Sequence, residues 1–281
     1  MSNPIADPLV EGVDSDAASD LVRLDTTQEG VAVVTLNRPE ARNSFNAELI
    51  GALHETFETL QAAEGVRVVF LRGAGKVFSA GADLNWMRDA AHWTEAENRE
   101  DAMGLARMLK ALWDIPALTV ALVQGGAWGG GCGLAAACDI AVAERGAKFG
   151  FSEARLGLIA ATISPYIVAA IGPRASRGLF ASARTFDADE ALRLGLVTEL
   201  VEDAAALATA ADRIAGEAMA CAPGAIAASK ALVDAVAHRE IGPAVMEDTA
   251  RRIAQARVSD EGREGVAAFL ARRSPSWAGQ G

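Results

Sequence analysis

Residues 124–134 read QGGAWGGGCGL and carry six glycines between the apolar run Leu118–Val123 and three alanines. The interior of a helix does not tolerate so many glycines, because each costs about 1 kcal/mol relative to alanine. Ahead of a helix, glycines let the backbone approach a ligand closely and present free N–H groups at the positive end of the helix dipole. The stretch therefore predicts a strand, a tight turn and a helix, with a turn suited to an oxyanion.

A second glycine-containing loop, FSAGADL at residues 78–84, follows an apolar strand predicted over 66–71. Neither loop is a nucleotide-binding fingerprint, since GxGxxG in a strand-turn-helix setting and GxxxxGKS/T are both absent. Strand, loop and helix recur along this half of the chain. That recurrence predicts an α/β fold with buried parallel strands.

Flanking patterns predict the elements on either side of these loops. Ser164 and Pro165 have the composition of an N-cap and a first helical residue. The other predicted elements are a hairpin from strands 21–24 and 31–36, a helix from an Asn46 N-cap to about residue 63, and a helix over 97–113.

From about Asp203 the chain changes to successive alanine-rich helical patterns, predicted over 204–220, 223–237, 241–257 and 259–272. Pro223 suits the first turn of its helix, and Ser259 gives a capped, acidic N-terminus to the last one. We therefore divide the chain into a mobile acidic tail (1–17), an α/β core (18–202) and an all-helical C-terminal section (203–281).

Composition restricts the classes of partner. The formal net charge of −11 disfavours nucleic acid, which requires concentrated lysine and arginine. No uninterrupted apolar run reaches the length of about 18 residues that a membrane span requires. Residues 1–17 lack the basic start and apolar core of a signal peptide, so we expect a cytoplasmic protein. The three cysteines and three histidines show no metal-ligand spacing, and no GxSxG hydrolase elbow is present.

Three motifs in order carry a family resemblance: SAGADL at 79–84, GGAWGGGCGLAAACDIAVA at 125–143 and KFGFSEARLGL at 148–158. Together they resemble the enoyl-CoA hydratase/isomerase (crotonase) family, from about residue 21 to 201 and again at the ending FLARRSPSW. The resemblance implies a spiral of ββα units, followed by helices that build homotrimers or hexamers. It also implies an acyl-CoA thioester substrate and no separate cofactor, because coenzyme A is part of the substrate.

The resemblance assigns catalytic roles to three positions. The N–H groups of Ala82 and Gly130 would form an oxyanion hole, which binds the thioester oxygen more strongly as it becomes an enolate. Family hydratases usually carry two glutamates, and the second matches Glu153, a candidate acid/base group. The first position is occupied by Gly133, which leaves Glu153 as the only recognisable carboxylate of this pair.

Two reactions remain open on this evidence. Moving a proton between C4 and C2, as Δ3,Δ2-enoyl-CoA isomerases do, needs only one carboxyl group. Residues 82–88 (ADLNWMR) and 152–159 (SEARLGLI) look instead like bacterial methylglutaconyl-CoA hydratases, so hydration of a 2-enoyl-CoA leads and isomerisation is the alternative. A non-catalytic CoA- or RNA-binding relative is a third hypothesis. Arg155 and Arg88 are candidate cations for a distal carboxylate of the substrate.

The substrate-binding candidates are assigned only because they occupy positions that contact the substrate in the family that the chain resembles. Asp83 has an equally plausible role in holding its loop through side-chain-to-backbone bonds. The predicted substrate contacts are Arg42, Ser44, Lys76, Ala80, Asp83, Leu84, Gly129, Gly133 and Arg155.

Overall fold

The computed structural model describes residues 20–278. Its main feature is a six-stranded sheet in the order β1-β2-β3-β4-β6-β9, and a three-stranded sheet in the order β5-β7-β8 lies apart from it. The strands are β1 (Val22–Thr26), β2 (Val31–Leu36), β3 (Val68–Gly73), β4 (Leu118–Val123), β5 (Gly126–Trp128), β6 (Ile140–Glu144), β7 (Lys148–Gly150), β8 (Thr185–Asp187) and β9 (Glu199–Val201).

The large sheet has the parallel, buried character that the sequence predicts. Strands β1 and β2 form the expected antiparallel hairpin, and every other neighbouring pair in this sheet is parallel. All six residues of β2 are buried, as expected for a strand covered on both faces. Alternate residues of β2 belong to two different hydrophobic clusters, with Val34 in one and Val33 in the other.

Ten helices accompany the strands in the described residues. They are α1 (Ala47–Ala62), α2 (Leu84–Ala90), α3 (Glu95–Trp113), α4 (Gly130–Ala137), α5 (Ser164–Ser182), α6 (Ala188–Leu194), α7 (Ala204–Met219), α8 (Pro223–Val236), α9 (Pro243–Val258) and α10 (Asp260–Leu270). Helices α1, α3 and α4 contribute to the larger cluster, and α7 covers the opposite face of the sheet.

Several predicted helix starts are confirmed. The Asn46 side chain accepts a hydrogen bond from the Leu49 N–H at 2.9 Å, and Ser259 caps α10 through the Gly262 N–H at 3.0 Å. The prediction for Ser164 is wrong. Ile163 is the N-cap of α5, whereas the Ser164 hydroxyl donates to the carbonyl of Ala161 at 2.7 Å, within the preceding turn.

The C-terminal helices differ in how they contact the core. Helix α7 buries one face against the sheet, whereas α8 and α9 contain no buried residue. Lys230 of α8 attaches that helix to the core, because its ammonium donates to the carbonyls of Ile115 and Ala117 at 2.7 and 2.9 Å and lies 2.7 Å from Asp139. The predicted tail at 1–17 lies outside the described residues.

Within residues 20–278, no single helix is long and apolar enough to cross a membrane. Helices α7 and α8 meet that criterion only as a pair, by length and composition, and they are bent by 100° relative to each other.

Candidate active site

The glycine-rich turn forms the N-terminus of α4. Gly129 is the N-cap, with φ 47° and ψ −114°, a conformation that favours glycine. Its N–H donates to the carbonyl of Gly150 at 3.0 Å, which holds the turn against β7. In the described residues the next N–H, that of Gly130, donates to no protein acceptor. It is therefore available at the positive end of a helix.

The second glycine loop presents another unused N–H group. Phe45 forms a parallel bridge with Ala82, in which the Phe45 N–H donates to the Gly81 carbonyl at 2.7 Å and the Asp83 N–H donates to the Phe45 carbonyl at 2.8 Å. This pairing bypasses the Ala82 N–H, which has no acceptor among residues 20–278. Ala82 itself is exposed, so a ligand can reach this group.

The two loops are in direct contact. The Trp128 N–H donates to the Ser79 carbonyl at 3.1 Å, beside a parallel bridge between Ser79 and Ala127. A Cβ added to Gly81 would lie only 2.8 Å from the Trp128 carbonyl oxygen. The ring of Phe45 lies against Gly130, where an added Cβ would come within 2.4 Å of it. Phe45 therefore contacts both loops and fixes the two free donors relative to each other.

Glu153 lies next to this turn. It begins a short 3-10 helix, Glu153–Leu156, just after β7. A Cβ added to Gly129 would lie 3.1 Å from the Glu153 Oε1 atom, so the carboxyl group is packed against the turn. The Oε2 atom is buried and has no hydrogen-bond partner. Burial raises the pKa of Glu153 above its ordinary value of 4.5, against a smaller lowering by its own backbone N–H. The raised pKa makes this carboxyl group a better proton acceptor than an ordinary exposed glutamate.

Gly133 lies one helical turn beyond Gly129 and is buried. A Cβ added there would lie 2.5 Å from Cγ2 and 3.0 Å from Cβ of Ile163, and 3.7 Å from the Leu109 Cδ1 atom. The space beside Gly133 is therefore filled by Ile163. No sequence pattern predicts this contact, because it joins α4 to the start of α5, thirty residues later.

Asp83 has the loop-holding role that the sequence allowed. Its carboxylate caps α2 by accepting from the N–H groups of Asn85 and Trp86 at 2.9 and 3.4 Å. Arg38 pairs with it at 3.2 Å, and the Ser44 hydroxyl donates to it at 3.3 Å. Burial alone would raise the pKa of Asp83, but these N–H groups and Arg38 outweigh it and lower the pKa. Sequence reasoning missed Arg38, which no spacing rule connects with Asp83.

The remaining substrate-binding candidates are mostly exposed. The Ala80 N–H donates to the Arg42 carbonyl at 2.9 Å, which places these two residues side by side. Lys76 is exposed, and Leu84 leaves 77% of its surface uncovered. Arg155 is exposed two residues after Glu153. In the described part of the chain, Arg42, Lys76 and Arg155 form no ion pair, so these cations are available to an anionic ligand.

Other chemically active side chains near the turn have structural roles. The Cys132 thiol is buried and donates to the Ala127 carbonyl at 3.0 Å, and burial raises its pKa to about 12. It is therefore a poor nucleophile. Asp139 accepts from the Thr119 N–H at 2.8 Å and pairs with Lys230, so it links the core to α8. No cluster of three or more His, Cys, Asp or Glu suited to a metal occurs among residues 20–278.

Comparison with known proteins gives a consistent result. Residues 26–280 match the family model described as Enoyl-CoA hydratase/isomerase. A short-chain-enoyl-CoA hydratase of Clostridium acetobutylicum is 30% identical over 86% of this chain and 92% of its own length. A 1,2-epoxyphenylacetyl-CoA isomerase of Escherichia coli is 30% identical over 92% of this chain and 98% of its own. The crystal structure of an enoyl-CoA hydratase from Shewanella pealeana is similar, with a TM-score of 0.88 and 38% identity over 92% of this chain and 96% of that one.

Proposed function

This chain belongs to the enoyl-CoA hydratase/isomerase family, and from that premise we propose that it hydrates a 2-enoyl-CoA thioester through an enolate, with Glu153 as the acid/base. The observation that carries the proposal is the buried, unpartnered Oε2 atom of Glu153 beside a turn with unused N–H groups. An acyl-CoA thioester as substrate agrees with the relatives' names.

The chemistry follows from these groups. Ionised Glu153 takes a proton from water, and the resulting hydroxide oxygen bonds to C3 of the substrate. The C2–C3 π electrons move towards the thioester, and its oxygen gains the negative charge of an enolate. The N–H groups of Ala82 and Gly130 donate to that oxygen, and one such donor typically stabilises the transition state by roughly 3–4 kcal/mol. Glu153 then returns the proton to C2 and is regenerated.

Isomerisation of a 3-enoyl-CoA is the second candidate, and the packing of Ile163 against Gly133 favours it. Proton transfer from C2 to C4 needs one carboxyl group and no bound water. Ile163 presents hydrocarbon where a second carboxyl could otherwise lie. Hydration passes through a 3-hydroxy enolate and isomerisation through a dienolate, and the same N–H donors can bind the thioester oxygen of either, so the site supports both reactions.

We further propose that the acyl group resembles 3-methylglutaconyl, whose distal carboxylate needs a cation. Arg155, exposed and free of ion pairs in the described residues, is the first candidate, being two residues from Glu153. Arg88 is the second, although its guanidinium already donates to the Asn85 side chain at 2.9 Å. Arg42 and Lys76 are proposed to contact the phosphates of coenzyme A.

We also propose that α8, α9 and α10 mediate assembly into a homotrimer or a hexamer. Large apolar side chains lie exposed along them, and an apolar patch of this kind commonly marks an interaction surface. The exposed side chains are Val233, Met246, Ile253, Val258, Val266, Phe269 and Leu270.

The deciding experiment follows the enoyl-thioester absorbance with crotonyl-CoA, 3-methylglutaconyl-CoA and a 3-enoyl-CoA. Hydration removes the absorbance of the first two substrates, and isomerisation creates it from the third. Turnover of the 3-enoyl substrate alone would overturn the hydration proposal. Glu153→Gln should lower kcat by about 100- to 10,000-fold. The matched control is Glu64→Gln, an exposed position that should retain full activity.

A further inference from the structure

Gly129 is the N-cap of α4, and Gly133 closes the first turn of that helix, because its N–H donates to the Gly129 carbonyl at 3.1 Å. The Cβ direction of Gly129 points at the Glu153 carboxyl, 3.1 Å from Oε1. The Cβ direction of Gly133 points at Ile163, 2.5 Å from Cγ2. Glu153 and Ile163 therefore both pack against the first turn of α4. A side chain at position 133 would project from this turn into the volume that Ile163 occupies.

Ile163 has little freedom to move away. Its side chain is β-branched and stiff at χ1, and only 2% of the residue is exposed. Its backbone is held as the N-cap of α5, where its carbonyl accepts from the Ile167 N–H at 3.1 Å. Leu109 of α3, which is fully buried, also lies close, with its Cδ1 atom 3.7 Å from a Cβ added to Gly133. Even a methyl group at position 133 would thus need a shift of anchored core residues.

We propose that Ile163 is a specificity-determining residue, which fills the space beside Glu153 and so restricts the site to a single carboxylate. This inference rests on the proposed function, because it concerns which group moves protons in that reaction. Among residues 20–278, Glu153 then supplies the carboxylate beside the first turn of α4 for a water molecule that attacks C3. The hydrocarbon side chain of Ile163 disfavours water beside Gly133 and suits the carbon skeleton of a branched acyl group.

The packing part is tested by thermal unfolding, without a substrate. Gly133→Ala should lower Tm by roughly 2–10 °C in the wild-type background. In an Ile163→Ala background the same substitution should lower Tm by less than about 2 °C. The matched control is Gly178→Ala in α5, where an added Cβ would meet nothing within 4 Å. Equal effects of Gly133→Ala in both backgrounds would overturn the inference, because the cycle would then show no coupling between the two positions.

The chemical part compares Gly133→Glu with Gly133→Gln, each combined with Ile163→Ala. The two variants differ in charge but hardly in size. The glutamate variant should hydrate crotonyl-CoA at least about tenfold faster than the glutamine variant. Equal rates would show that a carboxylate at position 133 does not assist hydration, and would contradict the role proposed for Ile163. Should these long side chains prevent folding, Gly133→Asp and Gly133→Asn in the same background repeat the comparison.

Failure of the proposed function and failure of the role proposed for Ile163 would give different results. A wild-type protein that turns over none of the three CoA thioesters would remove the proposed function, while the unfolding cycle would still report on the packing of Ile163. An active wild type with an additive cycle would remove the present inference alone.

Discussion

At the scale of single residues, Glu153 is the side chain on which the proposed chemistry depends. Its Oε1 atom lies against Gly129, and its Oε2 atom is buried without a partner. A buried polar atom that lacks a hydrogen bond costs stability. A water or substrate proton placed between Glu153 and the thioester would satisfy it. The unpartnered atom therefore favours the bound state, and it belongs to the group that we propose as the acid/base.

The first prediction concerns pH. Since the folded state raises the pKa of Glu153 above 4.5, the folded protein binds more protons than the unfolded chain between that value and the raised one. Stability from this group is therefore present below 4.5 and lost as pH rises through the folded pKa. Glu153→Gln should raise Tm at pH 7 and leave it nearly unchanged near pH 4.

Thermal unfolding from about pH 4 to pH 8 measures the difference between this variant and the wild type. Glu64→Gln, at an exposed position, is the control and should follow the wild-type curve. Tm curves for Glu153→Gln that stay parallel to wild type across the whole range would contradict the prediction.

The second prediction concerns Gly130→Ala. The new Cβ would lie 2.4 Å from the ring of Phe45, which also pairs with the Ala82 loop. Displacement of that ring should misplace both N–H donors and lower kcat by about 100-fold, with a smaller effect on KM. Steady-state kinetics checks it, with Gly216→Ala in α7 as control because an added Cβ there meets nothing. Partial recovery is expected when Phe45→Leu is added, and unchanged kcat in the single variant would refute the idea.

At the scale of elements, the sequence predicts best those helices and strands that have a long periodic pattern of apolar residues. Strand β4 matches its predicted bounds, and Asn46 caps α1 as expected. Helix α3 begins two residues earlier than predicted, because Thr94 and Glu97 form a capping box that the helical pattern did not reveal. Strands β5, β7 and β8 have three residues each, too few to establish a period.

The sequence predicts the parts of the site that lie within one short segment of the chain. It does not predict the contacts between segments that are far apart in the chain. The glycine turn and Glu153 are visible in the sequence as motifs. The contacts of Phe45 with both loops, of Arg38 with Asp83 and of Ile163 with Gly133 join segments thirty or more residues apart. Such contacts depend on how the elements pack, and one sequence contains no spacing rule for them.

The third prediction concerns how α8 is attached. Lys230 is 20% exposed and satisfies two carbonyls as well as Asp139. Lys230→Met should destabilise the protein by about 2 kcal/mol, since hydrogen bonds to a charged group are lost and their acceptors remain. Urea unfolding measures the loss, and proteolysis should cut first near α8. Lys148→Met, at an exposed β7 position, is the control. Equal midpoints for the two variants would contradict the assigned role.

At the scale of the whole molecule, the core and the last three helices differ in how much of their apolar surface they bury. The core contains two clusters of buried apolar residues around the sheet, whereas the last three helices bury almost none of theirs. Phe269 and Leu270 are 82% and 76% exposed. A net charge of −11 opposes unspecific association, so assembly would need this apolar surface.

The fourth prediction follows from that surface. Phe269→Glu places a charge in the proposed interface and should shift the protein from a trimer or hexamer towards the monomer, measured by light scattering after size-exclusion chromatography. Gln28→Glu, in the exposed β1–β2 turn, adds the same charge elsewhere and should leave the mass unchanged. An unchanged mass for Phe269→Glu would exclude this face as the principal interface.

The two free N–H groups belong to the main chain, whereas the acid/base group belongs to one side chain. Apart from proline, which has no backbone N–H, no substitution deletes the Ala82 or Gly130 donor as long as the two loops keep their backbone conformation. Mutation therefore acts almost separately on the two parts of the proposed mechanism, which are the binding of the enolate oxygen and the transfer of protons. A variant can therefore exchange Glu153, Ile163 and the cations around them while it keeps the backbone that we propose binds the enolate. A scaffold of this type is a suitable starting point for new thioester reactions.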